Sequence, residues 1–207
     1  MSNLVITISR EYASGGRDIG TKLAEELNID YYDKEIIQMV SEKSGLSADF
    51  LEKSDEKISS TFFHNLQYSA YSGFDTLAYY DTPVPDKVFI AQSEIIRGLA
   101  LRSDCIIVGR CADYILREDP GILRVFIRAD MDDRIRRAVN VYGLSEQKIA
   151  ENIKKIDKSR ANYYKFYTSM RWGESEHYDL VINTSFSGID GAVETIKAMV
   201  KAKGLIK

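Results

Sequence analysis

Glycine, arginine and carboxylate residues are concentrated in one short stretch near the start of the chain. It reads Ser9-Arg10-Glu11-Tyr12-Ala13-Ser14-Gly15-Gly16-Arg17-Asp18-Ile19-Gly20-Thr21. Glycine lets a backbone turn tightly and approach a ligand, and free N–H groups at the start of a helix bind anions. The loop is therefore a candidate anion-binding site. The alternative is a tight strand-to-helix turn that binds no ligand.

This loop departs from the phosphate-binding pattern G-x-x-x-x-G-K-[ST], in which lysine reaches the phosphates and a hydroxyl group binds Mg²⁺. When the second glycine of the pattern is placed on Gly16, Glu11 occupies the first glycine position, Arg17 the lysine position and Asp18 the hydroxyl position. Arg17 supplies a positive charge on a planar group with a different reach. The Asp18 carboxylate repels an anion, so we expect it either to hold a metal ion or to cap the helix.

A second candidate group follows a later apolar run, where Arg110 and Asp113 come directly after residues 105–109. Arginine suits bidentate recognition of phosphate. The Asp113 carboxylate could accept a hydrogen bond from a sugar hydroxyl. A structural salt bridge is the alternative for both residues.

Further arginines lie on two charged segments that we predict to be helices. Arg134 and Arg137 are three residues apart, so they share one helical face and can converge on a ligand. Arg160 lies near the end of the second segment. The alternative for these arginines, and above all for Arg136, is a solvated charged face.

Short apolar segments alternate with amphipathic ones along the chain. The predicted strands are 4–8, 105–109, 123–127 and 178–183, with a short strand or turn at 29–33. The main predicted helices are 19–27, 35–44, 86–103, 132–142, 145–164 and 189–202. This alternation is typical of a parallel sheet covered by helices on both faces, with ligands bound beyond the carboxyl ends of the strands. We therefore predict an α/β fold of three layers, α/β/α, with about five parallel strands. Residues 59–85 are the least regular and are predicted to form helix fragments and an insertion.

Composition excludes several classes of protein. The net charge of −3 argues against a nucleic-acid-binding protein, and the 2 Cys and 2 His form no zinc-ligand pattern. No apolar run approaches the roughly 18 residues that span a bilayer, and the first residues lack the features of a signal peptide. We therefore expect a cytoplasmic protein that binds neither membrane nor nucleic acid.

Together the glycine loop, the strand-end arginine and the arginine-rich helical pair suit phosphoryl transfer. That reaction needs positioning and neutralisation of phosphate charge, with little covalent chemistry from the protein. A helical pair that closes over the site would also exclude water. The competing hypothesis is a nucleotide-binding or regulatory protein without transfer activity, favoured by the missing lysine and by Asp18.

Three runs carry a resemblance to a known family: Ile6 to Gly20, which contains Ser-Arg-Glu-Tyr-Ala-Ser-Gly-Gly-Arg, then Tyr32-Asp33-Lys34-Glu35-Ile36-Ile37, and Val108-Gly109-Arg110-Cys111-Ala112-Asp113-Tyr114. They resemble the cytidylate kinase-like family, a branch of the P-loop nucleoside monophosphate kinases. The resemblance extends over nearly the whole chain. It implies one P-loop kinase-like domain over 1–207, with an acceptor-side helical insertion at 34–100 and an arginine-rich helical lid at 130–164.

The resemblance also implies ATP and Mg²⁺ as cofactors, and a nucleoside monophosphate (CMP-like) or similar small acceptor as partner. Ser14 to Thr21 would hold the donor phosphates. The catalytic cations would be Arg17, Arg110, Arg134, Arg137 and Arg160, and the acceptor-side residues Asp33, Arg110 and Asp113. True cytidylate kinases carry a lysine in the loop, and this chain does not. The Tyr-rich residues 63–80 would stack a base, fill a core or form the surface of a homodimer.

Overall fold

The computed structural model describes residues 3–44 and 84–204. The strands are β1 (Val5–Arg10), β2 (Asp30–Tyr32), β3 (Cys105–Val108), β4 (Ile122–Arg128) and β5 (Leu180–Asn183). The helices are α1 (Gly16–Leu27), α2 (Glu35–Ser44), α3 (Val84–Arg102), α4 (Ala112–Ile115), α5 (Met131–Asn140), α6 (Ile149–Thr168) and α7 (Thr184–Ala202), with a 3₁₀ turn at Ser175–His177. The Tyr-rich residues 63–80 lie outside the described residues.

The five strands form one parallel sheet in the order β2-β3-β1-β4-β5. The predicted α/β fold with about five parallel strands is confirmed. The central strand, β1, pairs with β3 through Ile8 and Val108 and with β4 through Ile8 and Val125. The loop after β1 therefore leaves the sheet between the segments that follow β3 and β4, where the candidate residues were expected to meet.

Two apolar layers explain why the strands are almost continuously hydrophobic. Ile6, Ile8 and Val125 pack on one face against α1 and α7. On the other face, Val5 and Ile107 pack against α2, α3, α4 and the end of α6. A strand buried on both faces needs apolar side chains at successive positions, and this is the pattern that the sequence shows.

Two helical features differ from the sequence-based expectation. Helix α7 begins at Thr184, five residues before the predicted start, because the Asn183 side chain accepts a hydrogen bond from the Ser185 amide and caps the helix. Gly188, with φ of +67°, then interrupts the helical backbone. Helix α4 has only four residues, too few to give a detectable hydrophobic period. None of the helices in the described ranges is both long and apolar enough to cross a membrane.

Candidate active site

The loop between β1 and α1 takes a backbone path that requires glycine. Gly15 has φ of +88°, a conformation that residues with a β-carbon seldom adopt. A Cβ at Gly15 would collide with the side chain of Ile189, and one at Gly16 would lie 2.5 Å from Cβ of Arg10. The two glycines thus let the loop pass close to α7 and to the end of β1.

Four successive backbone N–H groups at the start of α1 have no partner in the described part of the chain. They belong to Gly15, Gly16, Arg17 and Asp18, whereas the next amide, of Ile19, donates to the Gly15 carbonyl across 3.0 Å. Such amides at a helix N-terminus, where the helix dipole is positive, form an anion-binding arrangement. The chemistry predicted for the loop therefore has a backbone that suits it.

The other predicted loop residues have different surroundings. Ser14 is buried, and its Oγ lies 2.9 Å from the Glu11 carbonyl and 3.1 Å from the Ile127 carbonyl. Ile19 packs in the core, Gly20 lies against Tyr31, and Thr21 is exposed one turn into the helix. The group of amides that an anion can reach is thus centred on Gly15 to Asp18.

Arg17, at the lysine position of the pattern, is paired with a carboxylate. Its Nε and Nη2 each lie 2.8 Å from Oδ2 of Asp33, which directly follows β2. The Nη2 of Arg10 lies 3.4 Å from Oδ1 of the same carboxylate. The structure therefore brings two predicted residues, Arg17 and Asp33, together with Arg10, which was not predicted.

The predicted lid helices contact the loop mainly through its backbone. The buried Arg134 donates from Nε to the Tyr12 carbonyl across 2.7 Å and forms ion pairs with Asp157 and Glu11. Asp157 also accepts from the Tyr12 amide across 2.7 Å. Helices α5 and α6 are therefore joined to each other and to the loop through one arginine and one aspartate.

Two further arginines of these helices also donate to loop carbonyls. Arg137 donates from Nη1 to the Ala13 carbonyl across 3.0 Å, and Arg160 donates from Nη1 to the Arg10 carbonyl across 2.8 Å. The guanidinium of Arg137 also lies beside Gly15. Among the three predicted lid arginines, Arg137 is thus the one shown next to the free amides.

Neither carboxylate of the loop closes on the loop's own amides. Glu11 accepts from the Ala129 amide across 3.0 Å, and Asp18 lies 3.4 Å from the Tyr142 hydroxyl. Burial and the nearby Asp18 carboxylate together raise the pKa of Tyr142 to about 12, so this hydroxyl stays protonated at neutral pH. Asp18 is accordingly directed toward the segment that connects α5 and α6.

The segment after β3 places Arg110 and Asp113 in different environments. Gly109, Arg110 and Cys111 all have positive φ, and the Arg110 carbonyl accepts from Gln92 across 3.0 Å. Asp113 is only 3% exposed, and burial raises its pKa despite hydrogen bonds from Tyr164 and Ser9. A sugar hydroxyl would have to displace one of these two hydroxyls, so the acceptor-side role of Asp113 stays a prediction.

A groove of about 390 Å³ lies between α5 and the start of α7. Its lining residues are Asp133, Arg136, Arg137, Asn140, Val141, Thr184 and Ser185. Arg137 belongs both to this groove and to the contact with Ala13, and Thr184 donates to the Ser14 carbonyl across 2.7 Å. The groove therefore adjoins the loop between β1 and α1.

Sequence reasoning placed Arg10 and Glu11 in the loop without assigning either a role in the site, and it did not predict the contacts of Tyr142 and Asp157. Arg10 had a signal, because it ends the central strand of a sheet whose strand ends were expected to form the site. Asp157 had none, since its partner amide, of Tyr12, is 145 residues away in the chain.

No group of three or more His, Cys, Asp or Glu among the described residues is placed to hold a metal ion.

Comparison with known proteins places this chain in a family. The model of the cytidylate kinase-like family matches residues 5–186. An uncharacterized protein from Eubacterium ventriosum ATCC 27560 shares 32% identity, with 97% of this chain and 99% of that chain covered and a TM-score of 0.72. No curated protein matches the chain.

Two solved shikimate kinases share the fold at low identity. The enzyme from Bacteroides thetaiotaomicron has 12% identity and a TM-score of 0.55 over 96% of this chain and 98% of that chain. The enzyme from Acinetobacter baumannii, in complex with shikimate, has 10% identity and a TM-score of 0.54 over 99% of this chain and 96% of that chain. The fold is thus of the P-loop kinase type, and the chain belongs to the cytidylate kinase-like family.

Proposed function

We propose that this protein transfers the γ-phosphoryl group of ATP to a nucleoside monophosphate, such as CMP, or to a similar small acceptor. The observation that carries the proposal is the row of free amides from Gly15 to Asp18 at the start of α1, with Arg17 among them and Arg137 beside them. Family membership over residues 5–186 supports the same class of reaction.

The donor has room on the α7 side of the loop. With its phosphates on the Gly15–Asp18 amides, the nucleoside would extend into the groove between α5 and α7, which shares Arg137 with the loop. Arg136 and Arg137 line that groove, and arginine side chains stack on flat aromatic rings. We assign Arg137 to the phosphates, and Arg134 and Arg160 to holding the loop backbone.

The acceptor would approach from the β2–β3 side, where Asp33 and Arg110 follow their strands. Arg110 would hold an acceptor phosphate, and Asp33 would accept a hydrogen bond from an acceptor hydroxyl. In the transfer, the bond from the γ-phosphorus to the bridging oxygen breaks, an acceptor oxygen bonds to that phosphorus, and ADP leaves.

Magnesium would be bound chiefly by the nucleotide. Mg²⁺ commonly takes one or two carboxylates together with phosphate oxygens and waters. Asp18 supplies an oxygen ligand of the preferred kind in the first turn of α1, next to the free amides. When bound, the ion would neutralise phosphate charge, which also removes the repulsion between Asp18 and the nucleotide.

The test is a coupled assay of ADP release with Mg-ATP across nucleoside monophosphates, sugars and small alcohols. Replacing Arg17 with Ala should lower kcat by about 10²–10³-fold, the range seen when one stabilising group of a transition state is removed. Lys22→Ala is the matched control, because Lys22 is a cation on the same helix that pairs with Asp190 and Glu26, away from the free amides. Absence of turnover with every acceptor, together with no ATP binding by calorimetry, would refute the proposal.

The alternative is a nucleotide-binding or regulatory protein without transfer activity. Its support is the pairing of Arg17 with Asp33 and the carboxylate at position 18. Nucleotide binding without turnover would favour it. Arg17→Ala would then weaken mainly the affinity for nucleotide.

A further inference from the structure

The carboxylate of Asp33 is shared by two arginines of unequal freedom. Asp33 itself is buried, with 6% of its surface exposed. Arg17 approaches Oδ2 with two nitrogen atoms at 2.8 Å, while Arg10 approaches Oδ1 at 3.4 Å. One acidic group at the end of β2 thus connects the start of α1 with the end of β1.

Arg17 is the partner that can leave. Its side chain is 53% exposed, and its own backbone amide is one of the four free N–H groups at the start of α1. The Arg10 side chain is only 19% exposed and packs so closely on Gly109 that a Cβ there would collide with its guanidinium. If Arg17 leaves, Arg10 still holds Asp33 in place.

We propose that an anion bound to the Gly15–Asp18 amides pairs with Arg17 and so breaks the Arg17–Asp33 ion pair. The Asp33 carboxylate is then available to another hydrogen-bond donor. This inference rests on the proposed function, in which that anion is the phosphate chain of the donor. The Arg17–Asp33 ion pair would thereby couple binding at the donor site to binding at the acceptor site. The acceptor group that binds Asp33 is a hydroxyl or amino group that donates a hydrogen bond to its carboxylate.

The coupling follows from competition for one guanidinium. While Arg17 is paired with Asp33, a phosphate at the loop must break that pair to gain the cation, so the affinity for anions is reduced. After the exchange, Asp33 has lost one of its two cationic partners and has room to accept a hydrogen bond. Linkage makes the effect reciprocal, because an acceptor on Asp33 favours the state in which Arg17 contacts the donor.

The experiment is calorimetric titration of ADP and of pyrophosphate at physiological ionic strength. Asp33→Asn should bind both anions about two- to fivefold more tightly, as expected when a partly exposed ion pair no longer competes. Asp30→Asn is the matched control, since it removes the same charge three residues earlier, at the start of β2, from an exposed site where its recorded partners are Ser103 and Tyr32. Its affinities should match those of the wild type.

A double-mutant cycle separates the ion pair from a general effect of charge. In an Arg17→Gln background, Asp33→Asn should no longer tighten binding, because there is no arginine left to release. Tightening that persists in this background, or its absence in the single variant, would overturn the inference without contradicting the proposed function of the wild type. Failure of the wild type to bind either anion would instead refute the proposed function and this inference together.

A measurement on the wild type guards against an Asp33→Asn variant that does not fold. The Nε–H group of Arg17 gives its own NMR signal, which can be assigned by its loss in Arg17→Gln. Because this N–H donates to Asp33 in the free protein, its resonance should shift when pyrophosphate fills the loop. A resonance that stays unchanged at saturating pyrophosphate would contradict the exchange.

Discussion

The hydroxyl of Tyr164 donates to Oδ2 of Asp113 across 2.7 Å in the interior of the protein. Tyr164 lies in the last turns of α6, and Asp113 lies in α4 just after β3. Ser9, near the end of β1, approaches the other carboxylate oxygen at 3.4 Å. The contact therefore fixes the end of α6 to the segments at the ends of β1 and β3, which border the candidate site.

Removing this hydroxyl should destabilise the protein. Tyr164→Phe leaves a buried carboxylate oxygen without its short hydrogen bond, which commonly costs about 1–3 kcal/mol. Urea denaturation measures the loss. Tyr32→Phe is the control, since its hydroxyl bonds to Asp30 at the surface across 3.3 Å, and the free energy of unfolding should change little. Equal losses in the two variants would contradict the importance given to burial.

The pH dependence of stability should report the buried carboxyl group of Asp113. Burial raises its pKa above the ordinary value of 3.8, so the folded state holds this proton more tightly than the unfolded state does. Stability from this group is therefore complete at low pH and is lost as pH rises from about 4 through the folded-state pKa. The wild type should lose stability relative to Asp113→Asn over that range in denaturation experiments.

Asp179 serves as a control, because its contribution to stability should change with pH in the opposite direction. Burial disfavours its charge, but hydrogen bonds from Arg124 outweigh that effect and hold the pKa of Asp179 below 3.8. Its stabilising contribution is present above that pH and is lost as pH falls through the lowered pKa. The stability of the wild type relative to Asp179→Asn should thus decrease on acidification.

The outcome for Asp113 decides whether its pKa is assigned correctly. If the stability of the wild type relative to Asp113→Asn stays constant or increases between pH 4 and 8, the assignment is refuted.

The sheet could be predicted from the sequence because its strands are buried on both faces. Runs such as Cys105–Val108 are apolar at every position, a pattern that is visible in the order of residues alone. Helix α2 was predicted with its observed bounds, Glu35–Ser44, because its apolar residues keep a helical period. The start of α7 was missed because its first turn carries the exposed Phe186 and precedes Gly188, so the apolar period begins only at Ile189.

The candidate site was harder to predict because its contacts join distant parts of the chain. Glycines at 15 and 16 located the loop, since a tight strand-to-helix turn has a local signature. The partners of that loop have none: Arg134 is 122 residues from Tyr12, whose carbonyl it binds. Arg134 was predicted to be a lid cation, and only the fold shows that its guanidinium is engaged by the loop backbone and by Asp157.

The contact of helices α5 and α6 with the loop after β1 should depend on one buried arginine. Arg134→Gln would leave Asp157 and Glu11 without their shared cation in a largely buried setting. Breaking one partner of a buried pair commonly costs about 3–5 kcal/mol. Chemical denaturation measures this loss, and hydrogen exchange should show reduced protection of the Tyr12 amide, which donates to Asp157.

Arg136→Gln is the matched control on the same helix. Its side chain is exposed and pairs only with Asp133, three residues earlier, among the contacts recorded for the described residues. Exposed pairs of this kind contribute little. Unfolding and Tyr12 exchange should match the wild type. Faster exchange in Arg136→Gln than in Arg134→Gln would show that the loop is held by something other than the Arg134 pair.

The position of Arg10 should depend on the absence of a side chain at Gly109. Gly109→Ala and Gly143→Ala both place a β-carbon at positive φ, +79° and +67°, which costs about 1–2 kcal/mol in each case. Only at Gly109 would the new Cβ collide with the Arg10 guanidinium, whereas no atom lies within 4 Å of the one at Gly143. Gly109→Ala should therefore lose more stability than Gly143→Ala in urea denaturation.

An Arg10→Ala background tests the cause of this extra loss. The collision disappears there, so the extra loss should disappear too. An extra loss that persists without Arg10 would show that Gly109 is required for its backbone conformation alone.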